Sequence, residues 1–196
     1  MAFPSVPASS QTALPERISP QEAAKRIEAC GVGPVTIRFD DLLQSHVLTI
    51  SNAASSSDEQ LHCIDRAASY HDVELPAPVQ VRFDAIRQKR WSAYAVAEAR
   101  SWLTQRGLLD KVPTFVPGKT DETAFARQLE ELCGPTARGA FQSSYGPHVI
   151  SPEWIMGLGM PPKAKNQEAL TCLLNVTTIA GFSVGFIGNE AYADEK

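Results

Sequence analysis

The sequence predicts an α+β fold: a small antiparallel sheet packed with a mainly helical remainder around one long central helix. Three observations carry this expectation. Val79 to Leu109 contains no Pro, has Gly only at Gly107, and is dominated by strong helix formers. Val35–Phe39 and His46–Ser51 are rich in β-branched residues with partial alternation, and the six residues between them suit a hairpin. Several helix starts are written out as Ser-Pro or Ser-x-x-Gln/Glu sequences before apolar runs.

Taken in order, residues 1–17 are rich in Pro, Ser and Ala and read as a disordered tail, leaving 18–196 as a single α+β domain. Ser19-Pro20-Gln21-Glu22 opens a helix that ends near Cys30, where Gly31 can take the left-handed C′ position. The hairpin follows. Ser57-Asp58-Glu59-Gln60 is a capping box opening a second helix through Leu61, Ile64 and Ala68, and Val73–Leu75 is a short extended piece. In the central helix Trp91 and Trp102 share a face, Ile86, Ala93 and Ala97 make a second, and Val96 with Leu103 a third. That pattern predicts a helix surrounded by protein. Beyond it, helices are expected over Asp121–Cys133, Thr136–Gln142 and Asn166–Ile179, with another starting at Ser151-Pro152. A last strand, Phe182–Ile187, is expected to return to the hairpin sheet, because a lone hairpin is marginal in water.

Composition narrows the function classes. The chain has 196 residues and is 43% hydrophobic, enough to build a core without a metal or disulfide. No apolar run reaches membrane-span length, and the first residues lack the basic and apolar regions of a signal peptide. The net charge of −4 is uneven: residues 79–120 hold eight Lys/Arg against three Asp/Glu, and the flanking segments are acidic. Internal charge pairing is the expected use of that basic helix. Arg82, Arg87, Lys89, Arg90, Arg100 and Arg106 spread around it instead of forming a stripe, which argues against nucleic acid.

Linear catalytic motifs fail one by one. Gly181-Phe-Ser183-Val-Gly185 has the spacing of a nucleophile elbow, but no His follows it. Pro117-Gly-Lys119-Thr120 ends like a phosphate loop, but Pro113 stands where the first Gly belongs. Gly31-Val-Gly33 follows a helix instead of a strand, the reverse of a dinucleotide loop. His46, His62, His71 and His148 have no i, i+4 spacing and there is no Cys-x-x-Cys. No metal or cofactor is therefore expected, and only a tertiary set such as Cys30, Cys63 and His71 would supply a metal site.

Two readings remain. The first is a non-catalytic binding or interaction module, using Arg87, Arg90, Trp91 and Tyr94 toward a protein or a small acidic ligand. The second is a small hydrolase-like enzyme using His148, Tyr145 and Glu153 on the 145–154 loop. The four cysteines allow Cys30–Cys63 and Cys133–Cys172 bridges or four buried thiols. The cytoplasm is the default compartment, and paired cysteines would replace it with the periplasm or the cell exterior.

Overall fold

The computed structural model describes residues 15–157 and 164–186, so most of the tail expected over 1–17 and the end of the last strand at Ile187 lie outside the described residues. The architecture is α+β. Contacts divide the chain between Tyr94 and Ala95, inside the long helix, into two compact units that each have their own core.

The first unit begins where Pro15 to Ser19 is tied down: Ser69 Oγ donates to Glu16 O, and His71 Nε2 lies 2.9 Å from Ile18 O. Helix α1 (Pro20–Glu28) is capped by Ser19, whose Oγ accepts from Glu22 N at 3.1 Å, and it buries Ala23, Ala24 and Ile27. Strands β1 (Thr36–Asp40) and β2 (Ser45–Thr49) form the predicted antiparallel hairpin, with Ile37 opposite Leu48. Helix α2 (Asp58–Ala68) has the capping box read from its sequence: Gln60 N donates to Ser57 Oγ, and Ser57 N donates to Gln60 Oε1.

The third strand of this sheet is not the C-terminal one. Strand β3 (Asp72–Glu74) lies parallel to β2, with Val73 beside Leu48. The reason is topological: α2 returns the chain to the start of a parallel strand, which a two-residue turn cannot do. Beyond β3 the side chain of Gln80 stands in for a fourth strand. It accepts from Leu75 N at 2.7 Å and its Nε2 donates to Val73 O at 3.3 Å, which blunts a sheet edge that would otherwise be open to pairing.

Helix α3 (Ala77–Gln105) is as long as the sequence predicts, but protein does not surround it. Val79 and Phe83 are buried in the first core, Ala99 is buried nearer the other end, and Leu103 enters the second core. Between them Ala93, Ala95 and Ala97 are exposed. Those alanines serve helix propensity, not packing. On the first unit's side, Arg90 Nη2 donates to Asp65 Oδ1 at 2.8 Å and to Asp65 O at 3.0 Å, while Nε makes an ion contact to Oδ2 at 2.5 Å. The Asp65 side chain is 2% exposed and that of Arg90 18%. Burial pulls the Arg90 guanidinium down, but the bonds to Asp65 outweigh it and hold its pKa above the ordinary value.

In the second unit Gly107 takes a left-handed φ of +62° after α3. Helix α4 (Glu122–Cys133) is capped by Asp121 and buries Phe125, Ala126, Leu129 and Glu130. Gly134, with φ of +89°, ends it, and a single 3₁₀ turn, Pro135–Ala137, stands where a helix over Thr136–Gln142 was expected. Strand β4 (Val149–Ile150) leads to α5 (Pro152–Gly157), started by Ser151, whose Oγ accepts from Trp154 N. Helix α6 (Ala164–Ala180) contributes Ala169, Cys172, Leu173 and Val176 to the core. Strand β5 (Gly185–Phe186) pairs in parallel with β4, Val149 beside Gly185, and not with the hairpin. Its start is fixed by Phe182, 1% exposed, whose ring meets Phe115, Phe125 and Phe141 at centroid distances of 5.0, 5.4 and 6.1 Å.

Each unit carries one cysteine pair at bonding distance. Cys30, just past α1, meets Cys63 of α2 with sulfurs 2.01 Å apart, and Cys133 of α4 meets Cys172 of α6 at 2.03 Å.

Three outcomes follow from these contacts. Asp65→Asn leaves Arg90 buried beside an uncharged partner and is expected to lower stability by about 3–5 kcal/mol, read as a drop in the urea midpoint; the pair replacement D65L/R90M should recover most of it. Replacing Cys30 and Cys63 by Ser releases a loop of 33 residues and is expected to cost roughly 4 kcal/mol by chain entropy. Thiol titration of the denatured, unreduced chain should find no free thiol, and four would refute the pairing. At the hairpin tip, hydrogen bonds to the Asp40 carboxylate from Arg38, then Leu43 N and Leu42 N, hold its pKa below the usual carboxylate range. The tip turn is thus intact above that range and released as pH falls below it. The amide signals of Leu42 and Leu43 should move only in that acidic window.

Candidate functional site

The α3 surface proposed from sequence is only partly available. Arg90 is committed to Asp65. Arg87 is half-buried and its Nη1 donates to His71 O at 2.9 Å; burial depresses its pKa despite Asp65 and Asp72 nearby. Both guanidinium groups are thus engaged within the fold, Arg90 by an ion pair and Arg87 by one backbone carbonyl. The helix's remaining cations bear out charge pairing in part: Arg82 meets Asp58, and Arg106 meets Glu168 at 3.3 Å. What stays accessible is aromatic. Trp91 and Tyr94 are half-buried, 5.7 Å apart, and Tyr70, 42% exposed, lies 5.3 Å from Trp91. Arg90 stacks on both Trp91 and Tyr94 from its ion-paired position. The sequence missed Tyr70, because it comes from the end of α2 and meets Trp91 only through tertiary packing.

The structure does not assemble His148, Tyr145 and Glu153 into one site. Tyr145 is 69% exposed, and its hydroxyl has no hydrogen-bond partner among the described residues. Glu153 belongs to the start of α5, where Ser151 Oγ donates to it at 2.7 Å and draws its pKa down. His148 meets a different carboxylate: Nε2 lies 3.1 Å from Glu122 Oε2, Nδ1 lies 2.8 Å from Ser183 O, and the ring stacks on Phe182 at 4.4 Å. Both ring nitrogens are therefore engaged in joining the first turn of α4 to the approach of β5. In this geometry His148 is a cross-brace between the two segments. Trp154 likewise serves the core, with its indole N–H donating to Thr136 O at 3.1 Å.

Close to that brace, a cleft of 490 Å³ opens between α4 and the loop after Ala140. Thr123, Arg127 and Glu130 line it from the helix, and Gln142, Ser143 and Ser144 from the loop. Its floor is rigid. Glu130, 4% exposed, accepts from Phe141 N at 2.7 Å and from Gly139 N at 3.1 Å, pinning the loop to the helix. Glu130 is turned to those amides, and Arg127 one turn earlier makes no ion pair with it, with Glu131 at i+4, or with any other described residue. The cleft thus carries one exposed guanidinium, several hydroxyls and an apolar wall from Ala126, Phe141 and Pro147. Such a mixture suits a small polar ligand with one apolar part, and the volume falls in the range of about 300–1,000 Å³ usual for ligand sites.

Sequence reasoning looked at the neighbouring loop and missed Arg127 and Glu130. One signal was present: Phe125, Ala126, Leu129 and Glu130 form an i, i+1, i+4, i+5 stripe, so Glu130 is a carboxylate on the inward face. The Cys30–Cys63 bond also removes two thiolates from the tertiary metal set considered above. Among the described residues no group of His, Cys, Asp and Glu is arranged to hold a metal, and no helix is long and apolar enough to cross a membrane. With all four cysteines paired, the cytosolic default loses its basis.

Compared with protein-family models, curated proteins and solved structures, the chain matches none of them.

Proposed function

We propose that this chain is a non-catalytic binding module of an oxidising compartment, and that it holds a small acidic ligand in the α4 cleft through Arg127. The observation that carries the reading is a guanidinium without an ion-pair partner among the described residues, placed on the wall of a cleft with a fixed floor. A guanidinium presents a planar fork of N–H donors that matches a carboxylate. Thr123, Ser143 and Ser144 add hydroxyls that can donate to the same anion or accept from its polar substituents. The paired cysteines support the compartment, since such bonds persist where thiols are not kept reduced. The acidic-ligand expectation drawn from sequence is kept, with its site moved from Arg87 and Arg90 to Arg127.

The test is a titration of the intact, oxidised chain with small carboxylates from acetate to 4-methylpentanoate, followed through the amide signals of Thr123, Ser143 and Ser144. Saturable shifts are expected in the native protein and at least a ten-fold weaker response in Arg127→Ala, with the melting temperature unchanged because Arg127 is exposed. Shifts that persist undiminished in R127A would sink the reading.

A further inference from the structure

Resting on that reading of the cleft, we infer that its ligand is a zwitterion, an α-amino acid with an apolar side chain, whose ammonium is read by Glu130 while Arg127 takes the carboxylate. Glu130 is a buried carboxylate in the cleft lining. Its two hydrogen bonds, from Gly139 N and Phe141 N, use about half of the acceptor sites of a carboxylate. Among the described residues it has no cation within ion-pair distance. A charge taken out of water without a counter-charge is costly, and an ammonium entering the cleft would supply one.

The two charges are set for a single small molecule. Arg127 and Glu130 are i, i+3 neighbours on α4, with Cβ atoms about 5–6 Å apart on one face. The cation is exposed and the anion lies at the floor. A ligand entering ammonium-first would meet Glu130 below and leave its carboxylate near Arg127. Ala126, Phe141 and Pro147 offer the apolar remainder of the lining to a side chain. A simple carboxylic acid would satisfy Arg127 and leave Glu130 as it is. An amine would do the converse. Only a ligand with both groups uses both residues, and this is where selectivity would arise.

Three matched compounds test the inference by calorimetry on the intact, oxidised chain: L-leucine, its decarboxylated form 3-methylbutan-1-amine, and its deaminated form 4-methylpentanoate. L-Leucine is expected to bind at least ten-fold more tightly than either. Equal binding of 4-methylpentanoate and L-leucine would overturn the zwitterion and leave the acidic-ligand reading standing. Binding of none of the three would overturn both readings, because 4-methylpentanoate is among the carboxylates that the acidic-ligand reading requires to bind. A second arm uses Glu130→Gln, which removes the charge and leaves either Gly139 N or Phe141 N facing an NH2 donor. Loosening of the loop would weaken every ligand of the cleft alike, so the readout is the ratio of L-leucine to 4-methylpentanoate affinity, which should fall at least ten-fold; an unchanged ratio would overturn the zwitterion. Should that variant unfold, the three-compound comparison on the native chain still decides.

Discussion

Two sulfur–sulfur links, one in each compact unit, are the constraint on which the remaining packing rests. Length alone treats the chain as one body large enough to stabilise itself by burial. The contacts instead form two units of about half that length, and surface-to-volume scaling then applies to each half separately. Each link joins two helices whose apolar faces build that unit's core: α1 with α2 in the first, α4 with α6 in the second. Cys63 sits between Leu61 and Ile64, and Cys172 beside Leu173, all three of these neighbours fully buried. The cross-links thus hold helix pairs whose contact the small cores need most.

Charge placement separates structural cations from available ones. Arg90 lies over a nearly inaccessible Asp65, so its guanidinium is spent on joining α2 to α3. Arg87 does similar work through a backbone carbonyl. Their chemistry looked functional in the sequence because Arg beside Trp and Tyr is a common recognition set. Burial draws them inward: a guanidinium taken out of water needs acceptors within the fold, Asp65 for Arg90 and His71 O for Arg87. Arg127 has the opposite history. Of the two acids a turn ahead on its helix, Glu130 is held by two loop amides and Glu131 makes no ion pair with it, so the cation remains in the cleft wall without an internal partner among the described residues.

The same logic gives the most conspicuous histidine a structural role. His148 has a carboxylate at 3.1 Å, which in isolation resembles half of a proton-transfer pair. Its second nitrogen is given to Ser183 O and its ring face to Phe182. Once both nitrogens and one face are engaged, the side chain ties α4 to the segment entering β5. The β4–β5 pair is only two residues long, so this brace adds side-chain contacts where the ladder contributes few hydrogen bonds.

Local chemistry was legible in the sequence wherever a few adjacent residues decide the outcome. The Ser19 cap, the Ser57–Gln60 capping box, the length of α3, the hairpin and the ends of α4 all depend on neighbours within a turn. The two cysteine pairings were open alternatives there, limited by which helices could meet. Tertiary structure alone decided that β3 and not β5 completes the hairpin sheet, because strand partners are set by where crossovers return the chain. It alone decided that Arg90 is consumed and Arg127 is not, since pairing depends on residues 25 positions away or on a loop folding back over α4. The candidate site was not legible for the same reason: its charges lie on one helix, and what makes them a site is the loop that closes over it.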